Sequence, residues 1–436
     1  MRTNKNYLLV LLTVIVVFNY VDRVALGLML QTIKVDLDLS DTQLGFMTGI
    51  AFALFYAVMG IPIARWADRG NRVAIIAITT GLWSLAVALC GAANSFAQLL
   101  LIRVGVAIGE AGCHPPAFSL IADYFDRAER PRALARYALG FSLAAVIGFF
   151  FAGWLNELYG WRATFVVLGA PGLLLALLAA LTIREPRNID DGAAGCRQEL
   201  QTISAPAERA ASVRGVLSTL WFNKPFRHLA LCFSLSYFFG IGITQWQPAF
   251  FTRTHGLSTG ELGTWFAVIY GLGGFLGTYL GGELAHRYAA NNERLQFAAL
   301  TILYVALAPL AAAIYLVPDY RVAMAVLAIY AVAAASTNGP LFAATQSLVP
   351  PGMRAMSIAI VLFLSNLIGL GLGPLATGAL SDALRAFWGE ESLRYALLAL
   401  CPGYLWCAWH LWRASGSLAA DKNQTLGLLR TSLGTD

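Results

Sequence analysis

The sequence predicts an all-α membrane protein, with twelve transmembrane helices in two pseudo-symmetric six-helix bundles. Three observations carry that prediction. The 436 residues are 58% hydrophobic and 12% charged, with a mean hydropathy of +0.65, whereas soluble domains average about 25% charged residues. Apolar stretches of the ~20 residues needed to cross the hydrocarbon layer as a helix recur along the chain. Finally, two motifs match half a chain apart: Gly148-x4-Gly153-x-Leu155-Asn156-Glu157 and Gly373-x4-Gly378-x-Leu380-Ser381-Asp382. Both follow an Arg-Ala pair, Arg132-Ala133 and Arg354-Ala355.

The crossings are expected near 7–31, 42–66, 72–93, 98–122, 133–156, 162–183, 226–250, 259–283, 297–317, 322–348, 355–380 and 393–412. The first has a basic start and an apolar run, as a secretory signal does. No small-x-small cleavage site comes after it, so it is read as a retained span. A polar stretch containing "REPRNIDDGAAGCRQEL" divides the chain into bundles at 1–183 and 225–412, a cytoplasmic linker at 184–224 and a cytoplasmic tail at 413–436. With both termini in the cytoplasm, 22 of the 30 Lys/Arg fall on that side and six on the other, while Arg23 and Arg103 lie inside spans. That is a strong positive-inside bias. It accounts for the net charge of +6 through an anionic leaflet, without nucleic acid. The six cysteines form no C-x-x-C pair and suggest small apolar side chains in place of a disulfide framework or a metal site.

Span one contains Asp22-Arg23 within "YLLVLLTVIVVFNYVDRVALGLMLQTI", and span four contains Arg103 and Glu110 within "LLIRVGVAIGEAGCHPPAFSLIADYF". A charge at the bilayer centre costs at least ~3 kcal/mol, so all four must face the protein interior. Arg103 and Glu110 share a helix face about 10 Å apart. Two acids and two arginines can neutralise one another around a cavity, or simply tie helices one and four together. Adjacent residues on a helix point about 100° apart, so one of Asp22 and Arg23 is expected to face helix four and the other the cavity, with Asp22 paired to an arginine. His114, one turn beyond Glu110, is a candidate proton relay or a plain hydrogen-bonding residue.

Between spans two and three, "ARWADRGNRV" places Asp68, Arg69 and Arg72 in a short turn, where a carboxylate near a helix start is favoured. The pattern resembles the loop signature of the major facilitator superfamily and marks these three as candidate cytoplasmic gate residues. In the second half, "GLGGFLG" at 271–277 lacks the strand and acid of a dinucleotide loop; its small residues suit close helix packing. Polar uncharged groups predominate in these spans. Tyr20, Gln245, Trp246, Tyr270, Asn338 and Asn366 are the candidate lining of a substrate cavity near the midplane, where parallel halves of this kind place a site.

Across its first half the chain resembles the spinster-type branch of that superfamily. The resemblance lies in "NYVDR" (19–23), "ADRGNR" (67–72), "LWSL" (82–85), "RVGVAIGEA" (103–111), "IADYF" (121–125), "REP" (184–186) and, in the second half, "WQPAF" (246–250). It implies a secondary transporter of lysolipids, sphingolipids or similar amphipathic anions, working by alternating access. Proton coupling would run through Asp22, Arg23, Arg103 and Glu110, with Arg23 or Arg103 meeting an anionic head group. The expected protein is no enzyme, needs no cofactor beyond a proton gradient, and contacts membrane lipids as a monomer. Its short termini suggest a bacterial inner-membrane member. A porter for small organic anions or drugs, and a lipid receptor that moves nothing, are the rival readings.

Overall fold

The computed structural model describes residues 4–186, 222–289, 292–349 and 353–432. Twelve membrane-crossing helices lie among them. In the first half these are α1 Lys5–Leu37, α2 Asp41–Arg69, α3 Arg72–Cys90, α4 Phe96–Tyr124, and α5 (130–159) and α6 (161–182) within Arg130–Thr182. In the second they are α7 Lys224–His255, α8 (259–289), α9 Glu293–Leu316, α10 Tyr320–Ser347, α11 (354–388) and α12 (392–432). Most of the expected linker, at 187–221, lies outside the described residues.

Side-chain caps set many of the helix starts, satisfying first-turn amides that have no partner inside the helix. Ser40, Asn71, Ser95, Asn223 and Ser258 each accept from the amide three residues on. Gly160 separates α5 from α6 with φ 79° and ψ 166°, a conformation open essentially only to a residue without Cβ. Two crossings expected as continuous are interrupted instead, α10 at 336–337 and α12 at 401–402, and α4 breaks at 111–113 just before Pro115-Pro116. Pro115, Pro340 and Pro402 lie at or just after these breaks, and a proline ring removes an amide donor and crowds the preceding turn. Wide π-turns run through Met47–Ala51 in α2, Ala267–Leu272 in α8 and Asn366–Leu372 in α11.

Within the first half α1 packs on α5 and α3 on α6; within the second, α7 and α9 pack on α12. The "GLGGFLG" stretch is a packing surface, as expected: a Cβ at Gly277 would overlap the Val332 carbonyl of α10. Between the halves, α1 meets α7, α2 meets α11 and α5 meets α8. Cross-half hydrogen bonds gather at the face that carries the turns 38–40 and 256–258, the closed face. There Arg253 grips Asp41 through both terminal nitrogens at 2.7 and 2.8 Å, and donates to Gln31 at 2.6 Å. Lys34 and Ser381 also donate to Asp41, at 2.6 and 2.7 Å, and Asn156 donates to Thr259 at 3.1 Å.

Candidate functional site

The four intramembrane charges form two pairs between α1 and α4. Arg103 Nη1 lies 2.5 Å from Asp22 Oδ2, and Arg23 binds Glu110 Oε2 through Nε at 2.6 Å and Nη2 at 2.5 Å. Both members of the adjacent pair therefore reach α4, correcting the expectation that one turns to the helix and the other to the cavity. The long arginine side chain makes this possible: Arg23 bends back to Glu110 yet keeps 19% exposure, against 0–3% for the other three. Its guanidinium lies 4.7 Å from the centre of the Phe52 ring, 4.8 Å from Tyr56 and 5.4 Å from Tyr20. These rings attract the cation and shield it from water.

Each carboxylate uses one oxygen for its arginine. The other oxygens, Asp22 Oδ1 and Glu110 Oε1, are buried without a hydrogen-bond partner, as are both polar atoms of the neighbouring Asn19. Buried polar atoms are nearly always bonded, so these oxygens are the acceptors left open in the cluster. His114 is set apart from it. Its Nδ1 lies 3.1 Å from the Tyr137 hydroxyl, and its ring packs among Phe118, Tyr137 and Phe141.

The second half contains a cavity of about 430 Å³. Tyr20 closes it from the first half, and Gln245, Tyr270 and Asn338 line it, as the sequence reading expects. Trp246 does not line it: the side chain is fully buried and its Nε1 donates to the Pro374 carbonyl at 2.9 Å. Asn366, which opens the π-turn of α11, also lies outside the lining. Four tyrosines absent from the sequence reading, Tyr237, Tyr304, Tyr330 and Tyr404, complete the wall together with Thr337. Tyr304 bonds Ser236 at 2.6 Å, and Tyr330 bonds Tyr404. Among the described residues, the lining holds no ionisable acid or base other than phenols. A phenol is tolerated almost anywhere in an apolar span, as at exposed Tyr279, so the sequence held no sharp signal for these residues.

The candidate gate residues separate. Asp68 and Arg69 are exposed at the end of α2, whereas Arg72 is fully buried. Arg72 pairs with Asp123 at 2.6 Å and with Glu185 through two nitrogens, and donates to Ser119 at 2.8 Å. Three of the stretches that carry the family resemblance, "ADRGNR", "IADYF" and "REP", thus converge on one buried clamp within the first half.

Comparison with known proteins agrees with this architecture. The family model for the Major Facilitator Superfamily matches residues 12–374. A bacterial homolog to the human lysosomal transporter Spinster, solved in an inward-facing and unoccupied conformation, superposes with a TM-score of 0.81 at 31% identity, over 96% of this chain and 98% of that one. An MFS-type efflux pump of Mycolicibacterium smegmatis is 36% identical over 386 residues, 88% of this chain and 86% of the pump. A probable L-galactonate transporter of Escherichia coli is 26% identical over 60% of this chain and 57% of its own. Two six-helix halves, buried charge in one and a neutral cavity in the other, make up a multi-pass membrane transporter and not an enzyme. The chain belongs to the major facilitator superfamily, in its spinster-type branch.

Proposed function

We propose that this transporter moves a lysolipid, sphingolipid or similar amphipathic anion by alternating access, driven by a proton gradient and without other cofactors. The observation that carries the reading is the division of the site. A neutral, tyrosine-rich cavity in the second half suits an acyl chain with scattered hydroxyl contacts, and Arg23 stands beside Tyr20 at its first-half edge. A guanidinium fork matches a phosphate or carboxylate head group. Proton coupling is grounded in the pairs: a proton on Glu110 or Asp22 removes the charge that holds an arginine. The arginine released is then free for the anionic ligand, and loss of the ligand restores the pair.

The positive-inside bias and the likeness to an inward-facing relative support a bacterial inner-membrane protein with both termini cytoplasmic and the closed face outward. It would work as a monomer among membrane lipids. The test is flux of a labelled lysophospholipid into proteoliposomes under an imposed pH gradient. Gradient-dependent uptake is expected, and its absence, with small carboxylates transported instead, would overturn the lipid assignment. The 36% identity to an efflux pump favours a second reading, export of an organic compound or drug. The same vesicles loaded with such compounds distinguish it.

A further inference from the structure

The closed face contains one arrangement twice. Leu39-Ser40-Asp41-Thr42-Gln43-Leu44-Gly45 opens α2, and Leu257-Ser258-Thr259-Gly260-Glu261-Leu262-Gly263 opens α8, so both halves read Leu-Ser-x-x-Gln/Glu-Leu-Gly at the start of their second helix. In each, the serine caps the third amide of its own helix, Ser40 that of Gln43 at 3.1 Å and Ser258 that of Glu261 at 3.3 Å. The second amide goes to the other half. Thr42 N donates to Asp382 at 2.7 Å, joined by Asp41 N at 3.2 Å, while Gly260 N donates to Glu157 at 2.7 Å.

Asp382 and Glu157 hold the same place in the repeated Gly-x4-Gly-x-Leu motifs of α11 and α5. The glycines of those motifs let the helices touch. A Cβ at Gly378 would overlap the Asp41 carbonyl, and one at Gly153 the Thr259 carbonyl.

We propose that Asp382 and Glu157 are positioning residues of the transport cycle, two matched latches that hold the closed face shut from opposite halves. The first amides of a helix have no partner within it and carry the positive end of its dipole, so a carboxylate is favoured there. When the halves part, amides and carboxylate all return to water, which keeps each latch reversible. The two are unequal. Asp382 accepts two amides and the Thr42 hydroxyl, at 2.6 Å, beside the Asp41–Arg253–Lys34 ion cluster. Glu157 accepts the Gly260 amide and, among the described residues, has no such cluster around it. The face therefore opens first along α5 and α8.

The test measures the distance between spin labels at Val35→Cys and Phe387→Cys in the full chain in nanodiscs. These positions are 73% and 81% exposed and lie in opposite halves at the closed face. Asp382→Ala should raise the open fraction about tenfold relative to the closed, the size of effect a lost helix cap produces. Glu157→Ala should raise it less, and the double variant more than either. Asp382→Glu, which keeps charge and acceptor, should return the closed distance.

If the alanine variants fail to fold, Asp382→Leu with Glu157→Met keeps side-chain size, removes the acceptors and serves the same comparison. A folded double variant with wild-type distances, or one that only melts earlier with no change in distance, would overturn the proposal. No substrate is needed, so the outcome is independent of the lipid reading.

Discussion

Arg23 is the most exposed of the four buried charges, and its position between Glu110 and the cavity edge makes it the residue where coupling and recognition meet. Replacing it with lysine keeps a charge but not the planar fork. Arg23→Ala should weaken lysophospholipid binding by at least about tenfold and Arg23→Lys by less, since a charge-assisted bond contributes roughly 1.5–3 kcal/mol. Thermal-shift titration reads both. Equal binding by Arg23→Ala and wild type would make the pair a helix strut. Glu110→Gln and Asp22→Asn should each abolish flux driven by a pH gradient, because each removes a site where a proton can replace an arginine. Gradient-driven uptake at wild-type rates in both variants would remove these acids from coupling. The four charges were legible in the sequence because lipid penalises them so heavily. That Asp22 would meet an arginine was expected and is seen; which arginine was not legible, because it depends on how α1 and α4 are staggered, which hydropathy does not encode. Tyr304, Tyr330 and Tyr404 escaped notice because a phenol is tolerated almost anywhere in an apolar span.

At the scale of helices and their connections, buried Arg72 anchors the 2–3 turn, tying the start of α3 to α4 and to Glu185. Arg72→Ala would take the guanidinium from the buried Glu185 carboxylate, which keeps the residue-72 amide; losing one member of a buried pair costs about 3–5 kcal/mol. The expected outcome is a fall in melting temperature of the purified protein, larger than that from Arg69→Ala at the exposed end of α2. Similar melting of the two variants would contradict the clamp. Hydropathy located the helices themselves, including the pair divided at Gly160. The interruptions in α10 and α12 were not placed, since a broken turn buries the same side chains as an intact one. The prolines nearby were the available sign.

For the whole molecule, the distribution of Lys and Arg sets orientation, and orientation decides which face the latched loops present. Val35→Cys, exposed at the closed face, should react with a membrane-impermeant maleimide added to intact cells. A cysteine at Arg69, on the opposite face, should react only after the cells are opened. The reverse pattern would invert the topology argued from charge. Duplication was partly readable. The α5 and α11 motifs stood out through their spaced glycines, but the Leu-Ser-x-x-Gln/Glu-Leu-Gly partner motif did not. Its meaning appears only when the opposite half supplies the carboxylate.

The π-turn at Met47–Ala51 fits one surplus residue into α2, and the remainder of the helix is rotated accordingly. Phe52 and Tyr56 come directly after the turn, and both cover Arg23. Forcing the same residues into regular α winding would advance the later residues by about 100°, carrying both rings off the guanidinium. In α11, Asn366–Leu372 similarly precedes Gly378, so regular winding there would turn the glycine away from Asp41. Each π-turn is thus a phase correction, taking up one residue without turning the rest of its helix out of register.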